Sequence, residues 1–284
     1  MDIKTIGIIG AGRMGAGIAQ VMAASGFEII LMDIKDEFIR RGIDNIKKGL
    51  AKALEKGKIT PEEKEKAITK IRTTKRFEDM EEADFIIEAV PEIAELKIDI
   101  FKRLEAICHK EVILSTNTSS IPISKIASVT KRQDKVIGMH FMNPAPVMEL
   151  VEVVRGINTS DETFLIVKNL AENIGKIPVE SKDSPGFIVN RVLMPMINEA
   201  VFALMEGVAT AEDIDKAMTL GVNLPMGPLS LSDLIGLDTV LSIMESIYKE
   251  TKNPKHMPCP LIKRYVDEGH LGKKTGRGFY KYEF

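Results

Sequence analysis

A β-branched run at Thr5–Ile9 gives way at once to Gly10-Ala-Gly12-Arg-Met-Gly15, and a helical pattern follows over residues 16–24. Glycines at this spacing do three different things. The first makes a tight turn, the second lets the backbone approach a pyrophosphate, and the third lets the helix pack closely on the strand. The helix N-terminus then turns its unpaired N–H groups toward the phosphates. The spacing alone is common. Between a strand and a helix it predicts a dinucleotide site built from Gly10, Gly12, Arg13, Met14 and Gly15.

The next strand-like run, Glu28–Met32, ends in Asp33. An acid at that place accepts hydrogen bonds from both adenosine ribose hydroxyls and repels a 2′-phosphate, so the expected cofactor is NAD. Lys35, two residues on, leaves a slight tolerance for NADP.

Similar apolar runs recur at 84–90, 112–116, 135–139, 149–154 and 176–180, most of them separated by helix-length segments. That alternation predicts a largely parallel α/β sheet of the Rossmann type. Runs such as Ile6-Gly-Ile-Ile are continuous rather than alternating, as strands buried on both faces should be. The crossover at 36–70 is long and rich in Lys and Glu. Within it Ile39, Ile43, Ile46, Leu50 and Leu54 recur at helical spacing. Thr60-Pro61-Glu-Glu63 then reads as the N-cap, first residue and capping-box partner of a second helix. The expectation is a helical hairpin projecting from the sheet, with most of its charges solvated.

The pattern changes at Lys182-Asp-Ser-Pro-Gly186, a turn signal, and becomes nearly all helical at 187–206, 211–219, 228–235 and 239–250. The expected domains are therefore 1–183, a Rossmann-type α/β domain with the hairpin insertion, and 184–284, an all-α C-terminal domain. A length of 284 residues suits two domains, and 44% hydrophobic with 28% charged residues suits a globular chain with a sizeable core. The net charge of -2 gives no reason to expect a nucleic-acid or anionic-membrane partner. Cys108 and Cys259 are too few for a disulfide framework and fit a reducing compartment. No signal-peptide pattern opens the chain, and no apolar run nears the ~20 residues of a spanning helix. The expected location is the cytoplasm, and no metal site is expected.

Of four histidines, His140 stands apart. It ends the apolar run Val136-Ile-Gly-Met and precedes Phe141-Met-Asn143-Pro144. The carboxyl end of a strand is where open α/β sheets bind ligands, and imidazole suits proton transfer near neutral pH. An ordinary buried histidine fits the same pattern. The next run carries Glu149-Leu-Val-Glu152-Val-Val, and a carboxylate inside an apolar strand is costly unless paired. A histidine on the neighbouring strand is the obvious partner for Glu152, although a structural salt bridge would also account for it. Asn117-Thr-Ser119-Ser120 follows another strand. Its side chains suit a substrate oxygen or the nicotinamide, and they equally suit a turn with a helix cap.

Together these residues resemble the 3-hydroxyacyl-CoA dehydrogenase family, in its short-chain bacterial branch. The resemblance extends through Glu88-Ala-Val-Pro-Glu92, Ser115-Thr-Asn-Thr-Ser-Ser120, His140-Phe-Met-Asn-Pro144, Lys182-Asp-Ser-Pro-Gly-Phe-Ile-Val-Asn-Arg191, Pro225-Met-Gly-Pro228 and Gly272-Lys-Lys-Thr-Gly-Arg-Gly-Phe-Tyr280. It covers nearly the whole chain, and no motif position clearly departs from it. The resemblance implies catalysis by His140 and Glu152, with Ser119 on the substrate's 3-oxygen and Asn190 nearby. It implies Asp33 on the ribose, and Glu92, Lys97, Asn117 and Asn143 around the nicotinamide half. Lys274, or Lys273 beside it, would reach the cofactor from the second domain. Lys52 and Lys56 on the hairpin would meet the CoA phosphates.

The reaction so implied is hydride exchange between NAD(H) and C3 of a short (S)-3-hydroxyacyl-CoA, in fatty-acid or butanoate metabolism. An acyl-CoA is then the expected partner. A homodimer is expected through the second domain, where Met194, Pro195, Met196, Ile197 and Phe202 offer more apolar surface than one neighbour covers. Two other readings keep the fold: a dehydrogenase for a small hydroxy acid without CoA, and an NAD-binding protein without turnover.

Overall fold

The computed structural model describes residues 2–283; the outermost residues of the two expected domains, 1 and 284, lie outside them. The chain forms two compact units, Met1–Ser184 and Pro185–Phe284.

The first unit contains, in order, β1 (Thr5–Ile9), α1 (Arg13–Ala24), β2 (Glu28–Met32), α2 (Asp36–Glu55), α3 (Pro61–Thr69), β3 (Ile71–Thr74) and β4 (Phe85–Glu88). It continues through α4 (Ala94–Ile107), β5 (Ile113–Thr116), α5 (Ile123–Ala127), β6 (Val136–Phe141), β7 (Leu150–Arg155), α6 (Asp161–Asn173) and β8 (Ile177–Lys182). The eight strands form one sheet in the order β3-β2-β1-β4-β5-β6-β7-β8. All neighbours are parallel except β6 and β7, which pair antiparallel. The order reverses between β1 and β4, and that switch point is where doubly wound sheets open a crevice for ligand. Strands β4, β5 and β6 are buried at every position, their apolar runs broken only by Glu88, Ser115, Thr116 and His140 toward their carboxyl ends.

Two details differ from the sequence reading. The strand β3 was not among the expected runs, because Ile71-Arg-Thr-Thr carries one large apolar residue and pairs on a single side, against β2. Strand β6 runs two residues beyond 139, since antiparallel pairing with β7 carries the ladder to Phe141↔Val151. His140 therefore sits within the ladder, directly opposite Glu152.

The expected hairpin is α2 and α3. The capping box forms: the Thr60 hydroxyl accepts from the Glu63 N–H at 3.2 Å, and the Glu63 carboxylate accepts from the Thr60 N–H at 2.8 Å. The inner stripe does not project freely. Ile46 and Leu50 are buried in the same core cluster as Ile18 and Met22 of α1. Gly42 allows the approach, because a Cβ there would stand 2.7 Å from the Ala11 carbonyl oxygen.

The second unit contains α7 (Val189–Met205), α8 (Ala211–Gly221), α9 (Pro228–Ile235), α10 (Leu237–Thr251) and α11 (Pro260–Asp267). Its core gathers Met194, Ile197, Val201, Leu229, Val240, Met244 and Ile262. Of the apolar residues of α7, Met194 and Ile197 are covered by the chain's own helices, at 2% and 0% exposure, whereas Pro195, Met196 and Phe202 are only half-buried. No helix among the described residues is long and apolar enough to cross a membrane.

Candidate active site

The cleft at the switch point is a cavity of ≈ 730 Å³, within the range of small-molecule sites. Its walls include Gly10, Gly12, Arg13 and Met14 after β1, Asp33 after β2, and Ala89, Val90 and Pro91 after β4. The three fingerprint glycines answer to three different constraints. Gly10 has φ +102°, and a Cβ there would meet the Ala89 carbonyl oxygen at 2.6 Å. At Gly15 a Cβ would fall 1.8 Å from the Gly10 carbonyl oxygen, so helix and turn can touch only through glycine. A Cβ on Gly12 would meet nothing within 4 Å, which leaves bare backbone toward the cavity. Gly12 is also the N-cap of α1 and supplies no side-chain acceptor. These are the conditions a bound pyrophosphate needs.

Asp33 is held by the backbone. One carboxylate oxygen accepts from the Ala11 N–H at 2.7 Å, the other from the Ile34 N–H at 2.7 Å. A carboxylate oxygen can accept at least two hydrogen bonds, so each retains capacity for a ribose hydroxyl. Phe38, Arg41 and Asn45 of α2, and Leu96, Asp99, Ile100 and Arg103 of α4, complete the walls together with Phe77, over whose ring Arg103 stacks at 3.8 Å. The sequence reading did not single out these wall residues, because they sit on helix faces with no motif to mark them.

At the carboxyl ends of β5 and β6 and the amino end of the antiparallel β7 a polar cluster interrupts the apolar sheet. His140 Nδ1 lies 2.7 Å from Glu152 Oε2, and both side chains are nearly inaccessible, at 7% and 1%. An ionised carboxylate only accepts, so Nδ1 carries the proton and Nε2 of the neutral ring keeps a lone pair. Ser119 Oγ stands 3.1 Å from Nε2. Asn117 Oδ1 accepts from the Phe141 N–H at 2.8 Å, tying the end of β5 to the end of β6 beside His140.

Glu92 binds the serine loop. Its Oε1 accepts from the N–H groups of Ser119 and Ser120 and from the Ser120 hydroxyl, each at 2.9 Å, and from the Thr118 hydroxyl. Burial pushes the Glu92 pKa up, but the Lys97 ammonium and these donors outweigh it and hold the carboxyl below its ordinary value. Lys97 is itself buried, 2.7 Å from Glu88 and 3.4 Å from Glu92. Glu88, which the sequence shows only within the Glu88–Glu92 motif, is like Glu152 a carboxylate inside an apolar strand.

Asn143 is exposed at the end of the same region, and its bond to Pro144 is cis. The loop behind it is fastened by Lys176, which donates to the carbonyl oxygens of Ala145 at 2.7 Å and Met148 at 2.8 Å. Burial lowers the Lys176 pKa, and no sequence motif marked this residue. Lys52 and Lys56 stand exposed at the C-terminal end of α2. In the second unit Asn190 is buried in the first turn of α7. Lys274 there is paired with both oxygens of Asp238. No group of three or more His, Cys, Asp or Glu among the described residues is arranged to hold a metal ion.

The chain also matches known proteins over its length. A family model described as 3-hydroxyacyl-CoA dehydrogenase, NAD binding domain, matches residues 5–184, and one for the C-terminal domain matches residues 186–282. A probable 3-hydroxybutyryl-CoA dehydrogenase of Bacillus subtilis is 53% identical over 283 residues, covering 100% of this chain and 99% of the relative. The 3-hydroxybutyryl-CoA dehydrogenase of Bradyrhizobium diazoefficiens is 47% identical, covering 99% and 96%. The crystal structure of (S)-3-hydroxybutyryl-CoA dehydrogenase from Ralstonia eutropha superimposes with a TM-score of 0.96 at 47% identity, covering 100% of both chains. Both units are matched in order and almost to their ends, and the chain belongs to the 3-hydroxyacyl-CoA dehydrogenase family.

Proposed function

We propose that this protein is an NAD-dependent (S)-3-hydroxyacyl-CoA dehydrogenase of short acyl chains, interconverting 3-hydroxybutyryl-CoA and acetoacetyl-CoA. The observation that carries the reading is the Glu152–His140–Ser119 line at the sheet edge where β1, β2 and β4 end in the glycine-walled cleft. In oxidation, His140 Nε2 takes the proton of the C3 hydroxyl, and Glu152 stabilises the imidazolium that forms. Ser119 Oγ, held by the Glu92 loop, positions the substrate oxygen against Nε2. In reduction the imidazolium returns that proton to the developing alkoxide. Held beside that site, a nicotinamide would supply the hydride chemistry at C3, which no side chain of the protein can provide.

The cofactor roles follow the same division. Asp33 receives the ribose, and Gly10, Gly12, Arg13, Met14 and Gly15 the pyrophosphate. Glu92, Lys97, Asn117 and Asn143 border the nicotinamide half. Lys52 and Lys56 present two exposed ammonium groups to the CoA phosphates. The roles of Asn190 and Lys274 are read from the family alone; the homodimer through the second unit rests on the family and on the apolar residues of α7, and the cytoplasmic location on two cysteines that are free thiols.

The test follows loss of NADH absorbance with acetoacetyl-CoA, beside NADPH and beside free acetoacetate. Turnover confined to NADH with the thioester is expected. Comparable turnover of the free acid would replace the acyl-CoA reading with a small hydroxy-acid dehydrogenase. NADH binding without turnover of either substrate would remove the catalytic claim.

A further inference from the structure

Strand β4 is apolar up to its last residue, and that residue is Glu88, at 0% exposure. Burying a carboxylate is costly, and replacing a buried ion pair by apolar side chains is often neutral or stabilising. Stability alone is therefore a weak reason for Glu88 and Lys97 to face one another here. What the pair connects gives a better one. Glu88 Oε1 accepts from Lys97 Nζ at 2.7 Å and from the Val90 N–H at 2.7 Å, while Oε2 accepts from the Thr116 hydroxyl at 2.7 Å. The same ammonium reaches the Val90 carbonyl oxygen at 3.2 Å and Glu92 Oε2 at 3.4 Å. Glu92 thus divides its oxygens. Oε2 faces the lysine, and Oε1 collects the donors of the loop that carries Ser119. Ser119 Oγ in turn sits 3.1 Å from the reacting nitrogen of His140.

We propose that Glu88 is a positioning residue for the acid–base site, acting through Lys97 and Glu92 to hold the Ser119 loop against His140. The inference rests on the reading of His140 and Ser119 given under Proposed function. Its physical content is a competition for one ammonium. With Glu88 ionised, Lys97 is bound tightly at the floor and only loosely by Glu92, which stays committed to the loop. With the charge at position 88 removed, Glu92 becomes, among the described residues, the only carboxylate within reach of that buried ammonium. Closing its 3.4 Å separation draws Oε1 away from the Ser119 and Ser120 N–H groups. Misplacement by roughly 1 Å of a group that aligns reactants costs up to about 100-fold in rate.

The test is a double-mutant cycle on kcat in the full-length enzyme, with E88Q, S119A and the double variant. Glu88→Gln keeps shape and removes charge. Expected is a loss of about tenfold or more in the wild-type background and of less than about threefold in the S119A background. Equal losses in the two backgrounds, or no loss in E88Q, would overturn the assignment, because a merely structural Glu88 would act regardless of Ser119. Should E88Q fail to fold by circular dichroism, E88D decides in the same cycle. It keeps the charge but withdraws it by one methylene from Lys97 and Thr116, and a smaller loss that again vanishes with S119A is expected. Wild-type turnover in H140Q would instead sink the acid–base reading itself. Loss in H140Q and S119A with equal E88Q losses sinks only the role of Glu88.

Discussion

Both units bury carboxylates, but with different company. In the first unit Glu152 faces an imidazole and Glu88 an ammonium, at strand ends beside the cleft. In the second, Asp215 accepts from the N–H groups of Leu229 and Ser230 and from the hydroxyls of Ser230 and Tyr280. Asp233 accepts from the N–H groups of Phe279 and Tyr280 and from the Tyr282 hydroxyl. These partners are neutral. Asp215 satisfies the first-turn N–H groups of α9, as a capping side chain does, and Asp233 pins the C-terminal segment onto the same helix. Burial raises the Asp233 pKa against its hydrogen bonds. Burial also raises the pKa of Tyr280 and Tyr282, with the neighbouring carboxylates adding to it, so these phenols stay protonated. The motifs Pro225-Met-Gly-Pro228 and Gly272–Tyr280 acquire a reason here. A Cβ on Gly227 would stand 2.2 Å from Asp215 Cγ, and one on Gly278 would stand 2.0 Å from Asp233 Oδ1. The lesson is that a buried charge opposite an ionisable base can take part in proton transfer, while one opposite amides and phenols only holds structure.

The comparison breaks first, if it breaks, at His140. His140→Gln should lower kcat by ~10²–10⁴-fold, the usual worth of general acid–base catalysis, while NADH still binds by fluorescence titration. Near wild-type turnover would place the proton transfer elsewhere. The opposite case is Asp233→Asn, which should cost about 1–3 kcal/mol of stability from imperfectly satisfied donors. Urea unfolding measures this, and turnover of the folded fraction should change little. A collapse of turnover at unchanged stability would give the second unit's buried charges a chemical role.

Asp33 is the intermediate case, a carboxylate held by amides like Asp233 yet placed on the cleft. Asp33→Asn should weaken NADH about tenfold and NADPH much less, as expected for losing charge-assisted bonds to a ribose. Equal losses for both cofactors would show that Asp33 only braces the turn. The smallest effect concerns Glu92. Its folded pKa is depressed, so its ionised form stabilises the fold at pH values above the unfolded carboxyl value of ~4.3. That contribution is lost as the pH falls through the depressed value. The stability gap between wild type and E92Q should therefore be constant near neutral pH and shrink as the pH falls below the unfolded carboxyl value of ~4.3. A gap independent of pH would mean that the carboxylate charge is not what holds the loop.

Much of the first unit was legible because its signals are local. The turn, phosphate-facing helix and acid after β2 occupy one βαβ stretch. The Thr60–Glu63 box spans four residues, and the Ile46–Leu50 stripe follows helical period. Glu152 and His140 lie on consecutive strands, so a charge needing a partner had an evident one nearby. Less was legible where partners converge from separate elements. Glu88, Lys97, Glu92, Thr116 and the 118–120 loop come from β4, α4, β5 and the turns between them. Asp215 meets Tyr280 across 65 residues of chain. Composition likewise cannot say whether an apolar residue of α7 such as Met194 is covered by its own chain or by another; its own helices cover Met194.

By itself, then, the sequence determined the alternation of elements, the dinucleotide turn and the residue types available for proton transfer. These depend on backbone propensity and on spacing within a few turns of chain. Only the tertiary structure decided which buried charges face ionisable partners and which face amides. Desolvation makes every buried charge find a partner, and that partner is chosen by sheet order, register and helix packing rather than by distance along the chain.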